Sequence, residues 1–307
     1  MNNQPTHSPL PEAWSRENEI TVTEGLSISQ YLGVTSDVVS SSRIRDFINE
    51  SPLYYFKKYV TNEIKCPASK AMGLGNAIDC HITQGKAAFE CLYGMDYPDK
   101  KPTKSQLSSK NPSERTIELI KDYGYWEKRN VCKTILSRND YLTTQHCVNS
   151  LYSSDFGKVF KENTSMFKTQ STFRINLEDI SVQCRPDIFK VEGDRVRLFD
   201  LKSTARLRDW SYNHRGNPLY KFGYYIQCGL YSQFLQDHFK KRVDCYLWVV
   251  ETQQPYESAL LRVPQYIVDA GLEACQRAIG GIRECFKSNK WPGVFNGESE
   301  IELNCFL

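Results

Sequence analysis

The sequence predicts a mixed α/β chain, with a helical N-terminal section followed by a central sheet flanked by helices. Three observations carry this expectation. Between residues 41 and 162, apolar side chains recur mainly at helical spacing. Between 167 and 202 the pattern changes to short strand-like runs separated by acidic and glycine turns. Beyond 219, two long helical patterns bracket a further pair of strand-like runs.

The elements follow in order. Residues 1–40 are rich in Ser, Thr, Asn and Pro and carry one basic residue, Arg16, against five acids. They read as an acidic, poorly ordered arm, which leaves 41–307 as a single folded domain. Ser41 or Ser42 can cap a helix whose Ile44, Phe47 and Ile48 share one face. Pro52 opens a second short helix over 53–59, and a third spans about 69–84 with Met72, Leu74, Ala77, Ile78 and Ile82. Gly94, Pro98, Pro102 and Pro112 punctuate a loop over 93–112, with helices at 113–137 and 140–162. Strands are expected at 167–176, 180–191 and 195–202, the last two joined by the hairpin signal Glu192-Gly193-Asp194. A helix over 219–239, strands at 243–252 and 257–263, and a helix over 264–288 complete the chain.

Composition excludes several classes. A chain 40% hydrophobic and 12% aromatic is not disordered. It has no run of 18 apolar residues and no basic-then-apolar leader, so a cytoplasmic protein without membrane contact is expected. Eleven cysteines contain no C-x-x-C pair, which favours reduced, mostly buried thiols over a disulfide framework or a zinc site. The net charge of +3 is unevenly spread: residues 41–307 hold 38 basic and 31 acidic side chains. That surplus suits a polyanionic partner, although a solvated surface accounts for any single lysine.

The densest chemistry lies in Arg185-Pro186-Asp187 and Asp200-Leu201-Lys202. In a strand, residues two apart share a face, so Asp200 and Lys202 project together from an apolar run. A carboxylate and an ammonium leaving such a strand are costly unless paired or used. A hairpin brings Asp187 beside Asp200, and two converging carboxylates call for a hard cation such as Mg²⁺ or Mn²⁺. The plainer reading of D-x-K alone is a surface ion pair. Further along, Tyr220, Tyr224, Gln227 and Tyr231 fall on one helical stripe. Aromatic residues there fit packing, but a glutamine amide needs polar partners.

Pro186-Asp187 with Asp200-x-Lys202 resembles the PD-(D/E)xK nuclease superfamily, and its restriction-endonuclease-like core of a mixed central sheet flanked by helices. More narrowly, residues 40–307 resemble the RecE-type exonuclease domain of exodeoxyribonuclease VIII, a relative of the RecB nuclease domain and lambda exonuclease. Gln227-x-x-x-Tyr231 matches the Q-x-x-x-Y motif of RecB-like nucleases. Ser41-Ser42-Arg43 with Ser51-Pro52-Leu53-Tyr54-Tyr55, the segment Gly73 to Asp79, and Trp291-Pro292-Gly293 are similar to further family segments. The family histidine falls on Asp79, with His81 as the alternative metal ligand. The two lie about 200° apart around a helix, so they cannot serve one site together. A family glutamate falls on Gln170, which leaves the role of that position open.

The resemblance implies an Mg²⁺-dependent deoxyribonuclease, with Mn²⁺ able to substitute and no iron–sulfur cluster. Asp79, Asp187, Asp200 and the Leu201 main-chain carbonyl would hold metal, and Lys202 would act on the attacking water. Gln227 and Tyr231 would support Lys202 or hold a phosphate. Arg185, Arg206, Arg208, Arg215 and Lys221 would grip the DNA backbone. The resemblance further implies 5′→3′ digestion of one strand from double-stranded DNA ends. It also implies a ring-like homo-oligomer (trimer or tetramer), a single-strand annealing protein as partner, and a phage or mobile-element origin in a bacterial cell. An endonuclease or host-defence nuclease of the same fold, or an inactive DNA-binding module, are the alternatives.

Overall fold

The structure, a computed structural model, describes residues 19–67, 69–98, 100–211 and 216–295. Its first part contains β1 (Thr21–Thr23), α1 (Ile28–Leu32), β2 (Val38–Val39), α2 (Ser41–Asn49), α3 (Pro52–Tyr55), α4 (Lys70–Thr83) and α5 (Gly85–Leu92). Then come β3 (Tyr93–Met95), α6 (Lys104–Leu107), α7 (Glu114–Asn130), β4 (Thr134–Leu136), α8 (Arg138–Ser153) and α9 (Asp155–Glu162). The second part contains β5 (Lys168–Thr169), β6 (Thr172–Asn176), β7 (Ser181–Cys184), β8 (Ile188–Glu192) and β9 (Arg195–Thr204). It ends with α10 (Pro218–Lys221), α11 (Tyr224–Phe239), β10 (Arg242–Glu251), β11 (Ser258–Arg262) and α12 (Gln265–Ser288).

The central sheet has the order β11-β10-β9-β8-β5. It is mixed: β9 and β10 run parallel, joined through α11, while their outer neighbours are antiparallel. Alternation along β9 assigns its faces. Val196 and Leu198 pack with α11 and α12, whereas Phe199 and Leu201 pack with α4, α8 and α9. α11 and α12 cross at Gly229 and Gly271, where a Cβ on either residue would run into the other helix's main chain. No helix among the described residues is long and apolar enough to cross a membrane.

A second sheet, β1-β6-β7-β2, lies beside the first and revises the expectation of a disordered arm. Val22 pairs with Phe173 and Val39 with Val182. Ser27 and Gln30 form a reciprocal cap on α1, which delivers Tyr31 into the interior. The buried Arg43 guanidinium donates to the carbonyls of Val34, Thr35, Ser36 and Val38, fixing the lead into α2. Residues 21–39 therefore belong to the folded unit. Residues 1–18, the remainder of that expected arm, lie outside the described residues.

Other expectations change as well, among them the helix foreseen over 113–137, which ends at Asn130 before β4. The strand foreseen over 180–191 is interrupted at 185–187, because Pro186 has no N–H to give to a ladder. The chain there leaves the second sheet as β7 and enters the central sheet as β8. The helix foreseen over 219–239 breaks at Gly223, whose φ of +66° is left-handed. Tyr220 consequently lies on the separate α10 and is 42% exposed, outside the core stripe. The loop over 93–112 contains β3, which pairs with β4. The Ser51-Pro52 step and the Trp291 segment turn out to be packing devices. Ser51 caps α3, Trp291 stacks on Tyr55 at 5.8 Å, and Leu53 N–H donates to the Pro292 carbonyl.

Candidate active site

The break at Pro186 positions the first acid. Ile188 pairs with Phe199 across the β8–β9 ladder, which sets Asp187 opposite Asp200. Asp187 Oδ2 accepts the Leu201 N–H at 2.8 Å, so this carboxylate caps the end of the ladder. A second switch between sheets lies opposite: Gln170, between β5 and β6, has φ of +56° and donates its N–H to the Asp187 carbonyl at 3.1 Å. The Gln170 side-chain amide then reaches Asp79 on α4, at 3.2 Å from each carboxylate oxygen. The position that differed from the family pattern thus holds a site carboxylate in place.

Asp200 is 2% exposed and forms an ion pair with Lys202. Gln227 on α11 donates to Asp200 Oδ1 at 2.8 Å. This supplies the polar partner its amide needed. Lys202 also donates to the Leu201 carbonyl at 3.3 Å and lies 4.9 Å from the centre of the Tyr224 ring. Burial opposes the charge on Lys202, but Asp200, then Asp187 and Tyr224, outweigh it and hold the group as an ammonium. Asp187 is pushed well up by burial, with Asp200 and Asp79 adding repulsion. Burial also raises Asp79, to about 7; Asp200 adds to this while Lys202 and Arg185 oppose it.

Arg185, two residues before Asp187, is 7% exposed, and its Nε and Nη1 have no hydrogen-bond partner. Its guanidinium lies 5.7 Å from the centre of the Tyr31 ring. Tyr31 is thus a site-wall residue absent from the sequence reading; the Ser27-x-x-Gln30 capping box before it was the available signal. Tyr231 is buried in the core, and its phenol is raised by burial, with Tyr31, Asp200 and Asp187 contributing. It supports the site from beneath.

His81 is not brought to the site. It points the other way from α4, buried and stacked on Phe89 at 5.0 Å, and burial lowers its pKa. Arg206, Arg208 and Lys221 are exposed on the flanking segments, Arg206 pairing with Asp209 at 3.6 Å. Arg215 lies outside the described residues. A cleft of about 930 Å³ opens to one side, lined by Tyr31, Ser42, Lys58 and Tyr59 among others. It contains none of the three acids.

The donor chemistry fits a hard divalent cation. Three carboxylates face two cationic side chains, and burial, with repulsion among the acids adding to it, pushes Asp187 and Asp79 upward. Asp200 Oδ2 is buried against the Lys202 ammonium without a well-angled hydrogen bond. Asp79, Asp187, Asp200 and the Leu201 carbonyl are the groups that would hold the ion. Among the described residues, no three acidic, histidine or cysteine side chains are drawn together closely enough to share an ion. The carboxylates are instead engaged by Gln170, Leu201 N–H and Lys202.

Residues 40–302 match the family described as "PDDEXK-like domain of unknown function (DUF3799)". The crystal structure of a "Putative exonuclease" from Eubacterium rectale is similar over 89% of this chain and 91% of that one, with a TM-score of 0.58 at 14% identity. That of SSO0001 covers 41% of this chain and 55% of its own, with a TM-score of 0.26 at 12% identity, too little to bear on the fold. No curated protein matches the chain. With 263 of its 307 residues matched and the acid–lysine pair at the sheet switch, the chain belongs to the PDDEXK-like domain family.

Proposed function

We propose that this protein is a metal-dependent deoxyribonuclease that digests linear duplex DNA from its ends. The observation that carries the reading is Asp187 set opposite Asp200 across the β8–β9 ladder, with Lys202 paired to Asp200, Asp79 within electrostatic reach, and a buried arginine with two unsatisfied donors. Three acids and a lysine supply metal affinity and water positioning, and an unpaired guanidinium supplies a grip for phosphate. The Eubacterium rectale neighbour is described as a "Putative exonuclease", and the RecE-type resemblance points to attack at DNA ends.

When bound, a divalent ion such as Mg²⁺ would supply Lewis-acid stabilisation of charge on the scissile phosphate and ease ionisation of the attacking water. The chain's own residues do the rest. Asp187 and Asp200 hold their positions through Leu201 N–H and Gln227. Lys202, held as an ammonium, donates to the attacking water and offsets charge on the phosphate oxygens. It thereby orients the nucleophile. Arg185 brings two N–H groups that no protein acceptor occupies, and a phosphate would reach them as the side chains that bury them shift. The 5′→3′ polarity, the ring-like oligomer, the annealing partner and a role in phage-type recombination rest on the resemblance alone.

Digestion of duplexes labelled at the 5′ or 3′ end of one strand, beside covalently closed circles, tests this reading. Expected are Mg²⁺-dependent release of label from linear DNA, intact circles, and Asp200→Ala and Lys202→Ala variants that bind but do not cut. Variants that cut as fast as wild type would overturn the site. Circles cut as fast as linear DNA would make the enzyme an endonuclease.

A further inference from the structure

Near Lys202 the surface carries one aromatic ring that packing in the core does not explain. Phe222 is 45% exposed. The left-handed Gly223 that ends α10 turns the chain sharply before α11, so Phe222 lies on the corner between the two helices. Its main chain is fixed, since Arg45 Nη1 donates to the Phe222 carbonyl at 3.5 Å. A Cβ at residue 223 would press on the Arg45 side chain at 3.0 Å, so the corner is built around glycine.

The ring leads directly to the site. Phe222 meets Tyr224 at 5.7 Å between ring centres, and the Lys202 ammonium lies 4.9 Å from the centre of that same Tyr224 ring. Tyr224 is braced by Trp210, nearly parallel at 5.9 Å. Cations lie nearby: Lys221 Nζ is 5.4 Å from the Phe222 ring centre, and the exposed Arg206 and Arg208 precede Trp210 in the chain, Arg206 paired with Asp209. An exposed ring on a rigid corner, set among cations and one aromatic contact from a phosphate-handling lysine, matches the needs of a nucleobase with its phosphate. Bases inside a duplex have both faces covered by their neighbours and a terminal pair opens only its outer face, so an unpaired nucleotide is the one that can turn its base onto a ring beside the scissile phosphate.

We infer that Phe222, backed by Tyr224, is a stacking platform for the base of an unpaired DNA nucleotide next to the scissile phosphate. The inference rests on the nuclease reading for its substrate. It adds that the site takes a frayed or single-stranded end in preference to a paired one, and it assigns that selection to the α10–α11 corner.

The test uses the full-length protein in EDTA, where binding is read without cleavage. The probes are duplexes with 2-aminopurine as the terminal base, either paired or in a two-nucleotide unpaired end. Wild type is expected to quench the unpaired probe and to bind it more tightly than the paired one. Phe222→Ala should lose the quench and weaken binding of the unpaired probe about tenfold, with paired-end binding unchanged, and Phe222→Tyr should restore both. A Phe222→Ala protein that quenches and binds like wild type overturns the platform. So does one whose sedimentation changes while its quench does not, since the ring would then serve a second copy of the chain. Wild type that quenches in EDTA but never cuts with Mg²⁺ supports the platform and overturns the nuclease reading.

Discussion

Replacing Asp79 with asparagine is expected to make the metal-free protein more stable at pH 8 while removing its activity. Asp79 receives one amide group shared between its two oxygens, which returns little of the hydration that it loses. Burial raises its pKa to about 7, from an ordinary value near 4. An acid whose pKa is higher folded than unfolded binds more protons in the folded state between those two values. Stability therefore falls as pH rises through about 4 to 7, and the full penalty is present above that window. A shift of this size corresponds to about 4 kcal/mol at most. Asp79 retains some exposure, and screening by water reduces the expected gain from Asp79→Asn to about 2 kcal/mol. Urea unfolding in EDTA at pH 8, 6.5 and 5 measures it: the variant should lead at pH 8 and lose about a third to two thirds of that lead by pH 5. With Mg²⁺ added at pH 8, wild type should gain stability from binding and the variant should gain less. Equal stabilities at pH 8, or a lead that persists in full at pH 5, would show that Asp79 carries no such burden.

Gln227→Leu removes the amide that holds Asp200 Oδ1 and is expected to cost 10- to 100-fold in metal affinity or turnover without unfolding the chain, as titration calorimetry and circular dichroism would show. His81→Phe keeps the stack on Phe89 and removes a buried, unpartnered Nδ1. Activity should stay within about twofold of wild type and stability should hold or rise by about 1 kcal/mol; a 100-fold loss of turnover would return His81 to the site. Deleting residues 1–40 strips β1, α1 and β2, with the buried Tyr31, Val38 and Val39, from the fold. The thermal midpoint should drop by about 10 °C, and an unchanged midpoint would make the segment an arm after all.

The parts of this fold that were legible in the sequence are those with long periodic signals. α4, α12, β9 and β10 each repeat their pattern over ten residues or more, so the central sheet and its flanking helices could be read directly. The acid–lysine pair was legible for the same reason: alternation along one strand fixes both side chains to one face. The second sheet was not, because β1, α1 and β2 are three, five and two residues long, too short for periodicity to declare itself. Tyr31 was hidden with them. Two backbone punctuations also went unread. Pro186 marks the switch between sheets that places Asp187, and Gly223 marks the corner that exposes Phe222. In both cases the residue that breaks a regular element is the one that builds the site, so the local pattern fails where function departs from it.

Arg185 offers the sharpest separation between stability and function. A buried guanidinium with two unpaired donors costs about 1–3 kcal/mol for each group left unsatisfied. Its contact with the Tyr31 ring and its attraction to Asp79 return part of this cost. Methionine has similar length, can rest on the same ring, and brings no donors to satisfy. Arg185→Met should therefore fold as stably as wild type or gain about 1–2 kcal/mol, the balance being held down because Asp79 loses a favourable neighbour. If the unpaired donors exist for a DNA phosphate, the same change should weaken DNA binding about tenfold at moderate salt. It should also reduce the slope of log affinity against log salt by about one. Arg185→Lys should keep the slope, since the charge remains, yet recover only part of the affinity, since the planar fork is gone. A methionine variant destabilised by more than 3 kcal/mol, with unchanged DNA affinity, would make Arg185 a structural residue. The unpaired donors would then have no ligand to explain them, and the phosphate grip in the proposed mechanism would fall with them.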